Sequence, residues 1–259
     1  MNDFLDTLAA NAKKTIQSGY YRNLQATASY PKISFKAAIK ACKANPVITE
    51  IKTASPSLGT IRSTINPTEI AQAMQRGGAV GISVLTEPTY FNGSLETLIQ
   101  ARAAVALPIL FKDIVISTGQ IDAAAKLGAN AVLLIQGLFD KGHCELSEAE
   151  MISYAHSKDL EVLLETHTET EYISALKTDA DLIGVNNRNL DTLKTDLTTT
   201  QQILKEGKQD KVIVSESGIK APGHLQFLRG CGADAFLVGS SIMLTDDIEQ
   251  KVKELVNTP

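Results

Sequence analysis

Glu50 and Lys52 stand two residues apart at the exit of the apolar run Val47-Ile48-Thr49-Glu50-Ile51-Lys52, and Thr53-Ala54-Ser55-Pro56-Ser57-Leu58-Gly59 follows. Side chains alternate along a strand, so this carboxylate and this amine project from one face. Ser55-Pro56-Ser57 is a rigid turn whose hydroxyls can receive a polar ligand. Comparable groups close four further apolar runs: Lys112-Asp113 after Leu110-Phe111, Glu165-Thr166-His167 after Leu164, Asn186-Asn187-Arg188 after Val185, and Glu216-Ser217-Gly218 after Ser215. Carboxylates and amines held together can donate and accept protons in turn. Any one of these groups alone suits a solvated loop or an exposed ion pair. All of them at strand exits make one site if the fold points those exits at one another.

Such a fold is what the apolar runs specify. They recur as Val47–Ile51, Val80–Leu85, Pro108–Phe111, Ala131–Ile135, Val162–Leu164, Leu182–Val185, Val212–Val214 and Ala235–Val238. Their centres lie roughly 20 to 33 residues apart, which is too far for hairpins and right for a strand, a helix and two loops. Helix starts fall in the gaps, at Asn66 with Glu69, Ser117 with Gln120, Ser147 with Glu150 and Thr168 with Glu171, each spaced as a capping box. Parallel strands apolar on both faces are covered by helices, and eight of them close into a (β/α)8 barrel, whose active site lies at the carboxyl ends of the strands. A doubly wound open sheet is the alternative, but the first strand is not followed by Gly-x-Gly-x-x-Gly. No change in Gly, Pro or charge marks a linker, so residues 1–259 are expected to form one domain. Residues 1–45 read as a helical lead-in that covers the barrel, with helical patterns over Phe4 to Ile16 and Phe35 to Cys42 and a polar stretch from Ser18 to Lys32.

Composition narrows the function. A 44% hydrophobic chain with 5% aromatics and no tryptophan packs by aliphatic side chains, as parallel sheets do. The formal net charge of -4 provides no basic surface for a phosphate backbone or an anionic bilayer, so neither nucleic acid nor membrane is an expected partner. Acids near the start, at Asp3 and Asp6, are unlike a signal peptide, no apolar run reaches the ~18 residues of a membrane span, and a cytoplasmic protein is expected. Cys42, Cys144 and Cys231 share no short spacing and read as reduced thiols; His143-Cys144 is the single dipeptide with ligand chemistry, and it lacks partners at a metal spacing. No metal site is expected. Oligomeric state is not legible in the chain.

Two loops near the end carry a further signal. Ser217-Gly218 opens the seventh and Gly239-Ser240-Ser241 the eighth, where glycine lets backbone N–H groups approach an anion, and barrels commonly bind phosphate at these loops. A phosphorylated small molecule is the expected ligand. From residue 33 onward the chain also resembles the indole-3-glycerol phosphate synthases. The shared motifs are Ser34-Phe35-Lys36-Ala37-Ala38, Glu50-x-Lys52-x-x-Ser55-Pro56-Ser57-x-Gly59, Leu85-Thr86-Glu87-Pro88-x-Tyr90-Phe91-x-Gly93-Ser94, Phe111-Lys112-Asp113, Glu165-x-His167, Gly184-Val185-Asn186-Asn187-Arg188-Asn189-Leu190, Ser215-Glu216-Ser217-Gly218-Ile219 and Gly239-Ser240-Ser241. Thr53 stands where the family usually has a basic residue, and Asn189 where Asp is usual.

The resemblance implies closure of 1-(2-carboxyphenylamino)-1-deoxyribulose 5-phosphate to indole-3-glycerol phosphate, with loss of carbon dioxide and water and with no cofactor. On that basis Lys112 is the general acid toward the ketone, Glu165 the carboxylate base, and Lys52 the amine that also holds phosphate or the substrate carboxylate. Glu50 and Glu216 orient and balance the lysines, Asn186 and Arg188 bind polar groups of the substrate, Phe91 offers a ring face to the anthranilate, and Ser55 offers a hydroxyl. Two rivals share the phosphate loops. An isomerising phosphosugar barrel pairs an Asp with a Cys, yet no cysteine follows the first strand. A catalytically silent barrel would lack the charged ring. No second barrel is expected after Pro259.

Overall fold

The computed structural model describes residues 3–22, 24, 30–190, 192–205 and 210–258. Among these, eight parallel strands close into a barrel: β1 (Val47–Ile51), β2 (Gly81–Leu85), β3 (Ile109–Lys112), β4 (Ala131–Ile135), β5 (Glu161–Thr166), β6 (Leu182–Asn186), β7 (Val212–Glu216) and β8 (Ala235–Val238). Each pairs with its sequence neighbours, and β8 returns to β1 with Phe236 opposite Val47. That last pairing is what an open sheet would lack. Each of the eight apolar runs is a strand, and helices separate them.

Alternation along the strands sorts the apolar side chains into two layers. Ile48, Leu110, Leu133, Leu163 and Leu237 join one cluster in the barrel interior, while their neighbours Val47, Phe111, Val132, Leu164 and Val238 join the cluster between sheet and helices. The same alternation turns Glu50, Lys112, Glu165, Asn186 and Glu216 inward, two residues beyond Ile48, Leu110, Leu163, Gly184 and Val214. All four cap residues cap their helices, but the reciprocal box forms at one of them. Ser147 and Glu150 make the full reciprocal box, and Thr168 and Asn66 accept from the third helical N–H. Ser117 instead accepts from Gly119 N, and Gln120 reaches past it to Ile116 N at 2.9 Å, because that amide side chain is turned into the core.

Helices of the lead-in lie at both ends of the barrel. The helix Phe35–Ala41 plugs the floor: Phe35 is buried among the interior cluster, and a methyl group on Gly81 would overlap its ring. Glu161, at the start of β5, accepts from Phe35 N at 2.6 Å and from the Ser34 hydroxyl, a negative charge set at a helix start. At the other end lies the helix Phe4–Gln17, which buries Leu5, Leu8, Ala9 and Ala12. Lys141 Nζ lies 3.2 Å from Asp6 Oδ1, and His143 Nε2 lies 2.8 Å from the same oxygen, so that the histidine noted for ligand chemistry anchors this helix instead. Among the described residues no three His, Cys, Asp or Glu side chains converge as a metal-ligand set. Of the polar stretch from 18 to 32, residues 23 and 25–29 lie outside the described residues. Tyr21 is described, and its hydroxyl donates to Asp113 Oδ2 at 2.9 Å.

Removal of residues 1–30 is expected to leave a closed barrel, since none of the described ones belongs to the strand ladder. It should nonetheless lower the melting temperature, because burial of Leu5 and Leu8 is worth about 1.5–3 kcal/mol each and Asp113 loses its phenol partner. Circular dichroism with heating checks this, and loss of the folded spectrum at room temperature would make the lead-in part of the core. In the same variant KM should rise, since Phe4, Leu5 and Leu8 line the cavity described next.

Candidate active site

The carboxyl ends of the strands open into a cavity of about 860 Å3. Its lining contains Glu50, Lys52, Ser55, Phe91, Lys112, Glu165, Asn186, Arg188, Glu216, Ser217, Gly218, Gly239 and Ser240, so residues spread over nearly 200 positions meet in one place. Two lysines, paired with three carboxylates, organise it. Lys52 Nζ lies 2.5 Å from Glu50 Oε1, and Ser83 Oγ donates to the other Glu50 oxygen at 3.5 Å. Lys112 Nζ lies 3.2 Å from Glu165 Oε2 and 3.6 Å from Glu216 Oε2.

All of these carboxylates are buried, and the electrostatics follow from how unequally they are compensated. Burial disfavours the Lys112 ammonium, but Glu165, Glu216 and Glu50 outweigh it and hold its pKa above the ordinary lysine range. Burial likewise pushes Glu165 up, and Lys112 and His167 more than reverse that, so it stays ionised below the usual carboxylate range. Glu216 goes the other way: burial and the nearby Glu165 charge raise it, against the pull of Lys112. Its Oε1 accepts no hydrogen bond among the described residues. Two carboxyl groups flanking one amine are thereby driven apart, one held ionised and the other pushed toward its protonated form.

Several residues that the sequence reading left without a role build this arrangement. Gly184 makes room for Glu216, because a methyl group there would overlap Glu216 Oε1. Asn187 is 1% exposed; its Nδ2 donates to Ser215 Oγ, Glu216 O and Ser217 O at 3.0, 2.9 and 3.2 Å, while its Oδ1 accepts from Thr200. That bracket holds Ser217 and Gly218 at φ 68 and 82, where backbone N–H groups can turn toward an anion. Glu87 carries the Phe91 loop, accepting from the N–H groups of Thr89, Tyr90 and Phe91 at 3.0, 2.6 and 3.0 Å and from Asn11 of the first helix at 2.9 Å. Arg188 donates from Nη1 to Leu193 O at 2.7 Å, which fixes its fork at the cavity wall. Asn187 and Glu87 stood beside singled-out residues, but a buried amide or carboxylate that binds backbone has no spacing signature.

The sequence profile of the family described as indole-3-glycerol phosphate synthase matches residues 5–255. The chain belongs to this family. Similar curated members include the indole-3-glycerol phosphate synthase of Methanocaldococcus jannaschii, 42% identical with 97% of this chain and 98% of that one covered. Another is that of Neisseria meningitidis serogroup B, 41% identical with 98% of each covered. Solved structures of a thiamine phosphate pyrophosphorylase from Pyrococcus furiosus and an N-acetylmannosamine-6-phosphate 2-epimerase from Clostridium perfringens superpose with TM-scores of 0.61 and 0.60. The former covers 86% of this chain and 96% of its own, the latter 83% and 93%; at 15% identity each, they share the barrel alone.

Within a synthase-family site the two glycine loops should not respond alike. At Gly218 an added Cβ would come 2.5 Å from Thr195 Cγ2, away from the ionised groups, and the positive φ adds strain. Gly218→Val is expected to raise KM more than it lowers kcat and to weaken competition by inorganic phosphate. At Gly239 the added carbon would lie 2.5 Å from Glu50 Oε1 and 3.2 Å from Lys52 Nζ. Gly239→Val should therefore cost kcat as well. Steady-state kinetics with phosphate as inhibitor check both, and unchanged inhibition in the two variants would put the anion elsewhere.

Proposed function

We propose that this chain works as an indole-3-glycerol phosphate synthase, closing the ring of 1-(2-carboxyphenylamino)-1-deoxyribulose 5-phosphate with loss of carbon dioxide and water. The observation that carries the reading is the Lys112 ammonium set between two carboxyl groups at the mouth of the barrel, 3.2 Å from one and 3.6 Å from the other. In the first step the arene carbon that bears the carboxylate attacks the ketone carbon. Lys112 protonates the oxygen as that bond forms, and the electrons of the carbon–carboxylate bond restore the aromatic ring as carbon dioxide leaves. In the second, the new hydroxyl departs as water with a proton from an acid, and a base takes the proton from the former methylene carbon to complete the indole.

Glu165 is the base in this account, being ionised and 3.2 Å from the amine that acts first. Glu216, raised by burial, is suited to hold a proton nearby. Lys52, kept in place by Glu50, meets the substrate carboxylate or phosphate; Asn186 and Arg188 take further polar groups, Ser55 offers its hydroxyl, and the Phe91 ring receives the anthranilate. Ser217, Gly218, Gly239 and Ser240 present backbone N–H groups to the phosphate. No cofactor takes part in this scheme. Among the described residues no helix is long and apolar enough to cross a membrane, and the formal net charge of -4 suits neither nucleic acid nor an anionic bilayer; we read the protein as cytoplasmic.

Glu50 and Lys52 should behave as one unit, and neighbours in one network couple by roughly 0.5–3 kcal/mol. The Glu50→Gln, Lys52→Met double variant is expected to lose less kcat/KM than the two single losses combined, and strict additivity would make the residues independent. The reading as a whole is tested by adding the ribulose phosphate substrate to purified protein and following indole fluorescence. Fluorescence that rises in proportion to enzyme supports it, and substrate isomerised without an indole signal would turn it into a different phosphosugar barrel.

A further inference from the structure

His167 follows β5 directly and takes no part in the scheme above, yet it is almost enclosed, with 10% of its side chain exposed. Its ring spans two carboxylates. Nε2 lies 3.3 Å from Glu165 Oε1, and Nδ1 lies 3.6 Å from Glu171 Oε2. That same Glu171 oxygen accepts the His167 backbone N–H at 2.7 Å, while Glu171 N donates to Thr168, so the outer carboxylate is locked to the start of the helix Glu169–Ala175. Glu165 faces the large cavity. The imidazole instead lines a second, smaller one of about 260 Å3, whose other charged walls are Asp3, Asp140, Lys141, Glu171 and Arg188. His167 is not among the walls of the large cavity, so it can act on Glu165 from outside it.

We propose that His167 is a positioning residue for the base, part of a Glu171–His167–Glu165 chain in which the imidazole holds the Glu165 carboxylate toward Lys112 and keeps it charged. The inference rests on the reading of Glu165 as the base. Three features carry it. The Glu165 oxygen nearest His167 is not the one nearest Lys112, so a cationic partner faces the carboxylate on each side, with Nε2 close to it but making no hydrogen bond among the described residues. A histidine between two carboxylates is favoured as the cation, and burial, which opposes that, is outweighed by Glu165 and Glu171, leaving its pKa near about 9. Finally, Glu171 Oε2 accepts the His167 backbone N–H at 2.7 Å and lies at an ion-pair distance of 3.6 Å from Nδ1, so an anchored negative charge stands on the far side of the ring.

The competing account is a satisfied core histidine whose loss costs stability alone. His167→Leu separates the two. Without the imidazole the base is free to tilt, and a misplacement of about 1 Å costs up to ~10²-fold in rate. We expect kcat to fall about 10- to 100-fold with KM within about threefold. His167→Gln, which can return an N–H near the Nε2 position, should recover most of that loss. A second readout does not depend on turnover: in protein with 15N-labelled histidine, the His167 ring should titrate at lower pH in Glu165→Gln than in wild type, because the anion facing it is gone. Should His167→Leu fail to fold, Glu171→Gln and the titration decide the matter, with a smaller kcat loss and again a lower His167 titration expected. Wild-type kcat in His167→Leu, equal losses in the Leu and Gln variants, or a His167 titration indifferent to both carboxylates would each overturn the proposal. If Glu165→Gln itself keeps full activity, the reading of the base fails; if it is inactive while His167→Leu turns over normally, only the positioning role fails.

Discussion

Lys112→Met should lose turnover by about 10²–10⁴-fold while binding substrate within a few fold of wild type. On the proposed reading the ammonium is needed most when charge develops on the ketone oxygen, whereas ground-state binding of the phosphate and carboxylate would be shared with Lys52, Arg188 and the two glycine loops, which line the same cavity. Methionine is close in length and apolar, so packing around the aliphatic stem is kept. It also leaves Glu165 and Glu216 facing each other without the amine that sits between them. Two buried carboxyl groups so placed cannot both stay ionised, and at least one will take up a proton. The variant should therefore be most damaged at the pH where wild type is most active, and addition of small alkylamines should return part of the rate. Rapid-quench kinetics give the chemical step directly. A kcat close to wild type would remove Lys112 from the role of acid.

Glu165→Gln should slow the chemical step by a comparable ~10²–10⁴-fold with little change in melting temperature. Glutamine retains the shape and can still accept from one neighbour, but it cannot take a proton. The sign of the linkage matters here. Glu165 has a folded pKa below its ordinary value, so its charge contributes stability that is present at neutral pH and is lost only in strong acid as pH falls through that depressed value. Replacing it by an amide removes this contribution together with part of its cause, because Lys112 keeps Glu216 and His167 keeps Glu171. A small net change in stability with a large fall in kcat is the expected combination. A sharp drop in melting temperature with kcat preserved would make Glu165 a structural ion-pair partner.

Much of this site was legible because barrels impose order on sequence. Period-two alternation and the recurrence of apolar runs place Glu50, Lys112, Glu165, Asn186 and Glu216 at strand ends facing inward, and the structure brings them around one cavity. The helix over Phe4–Gln17 shows in its apolar spacing, and its lock to the barrel through Asp6, Lys141 and His143 does not, since ion pairs more than 130 positions apart leave no local trace. The same holds for Glu87, which reads as one more loop acid until its oxygens are seen to bind the N–H groups of the Phe91 loop. Gly239 was legible as a close-approach glycine, but what approaches closely in the structure is the Glu50–Lys52 pair. Burial and long-range partners decide these cases, and neither is written in residue order.

The central claim is that this cavity couples ring closure to loss of the carboxylate, and it is tested most directly by substrate labelled with 13C at that carboxyl carbon. In a single turnover with wild-type protein, labelled carbon dioxide should appear in a one-to-one ratio with indole, and both should be suppressed together in Lys112→Met. Label retained in a product of unchanged mass, with no indole formed, would contradict the account.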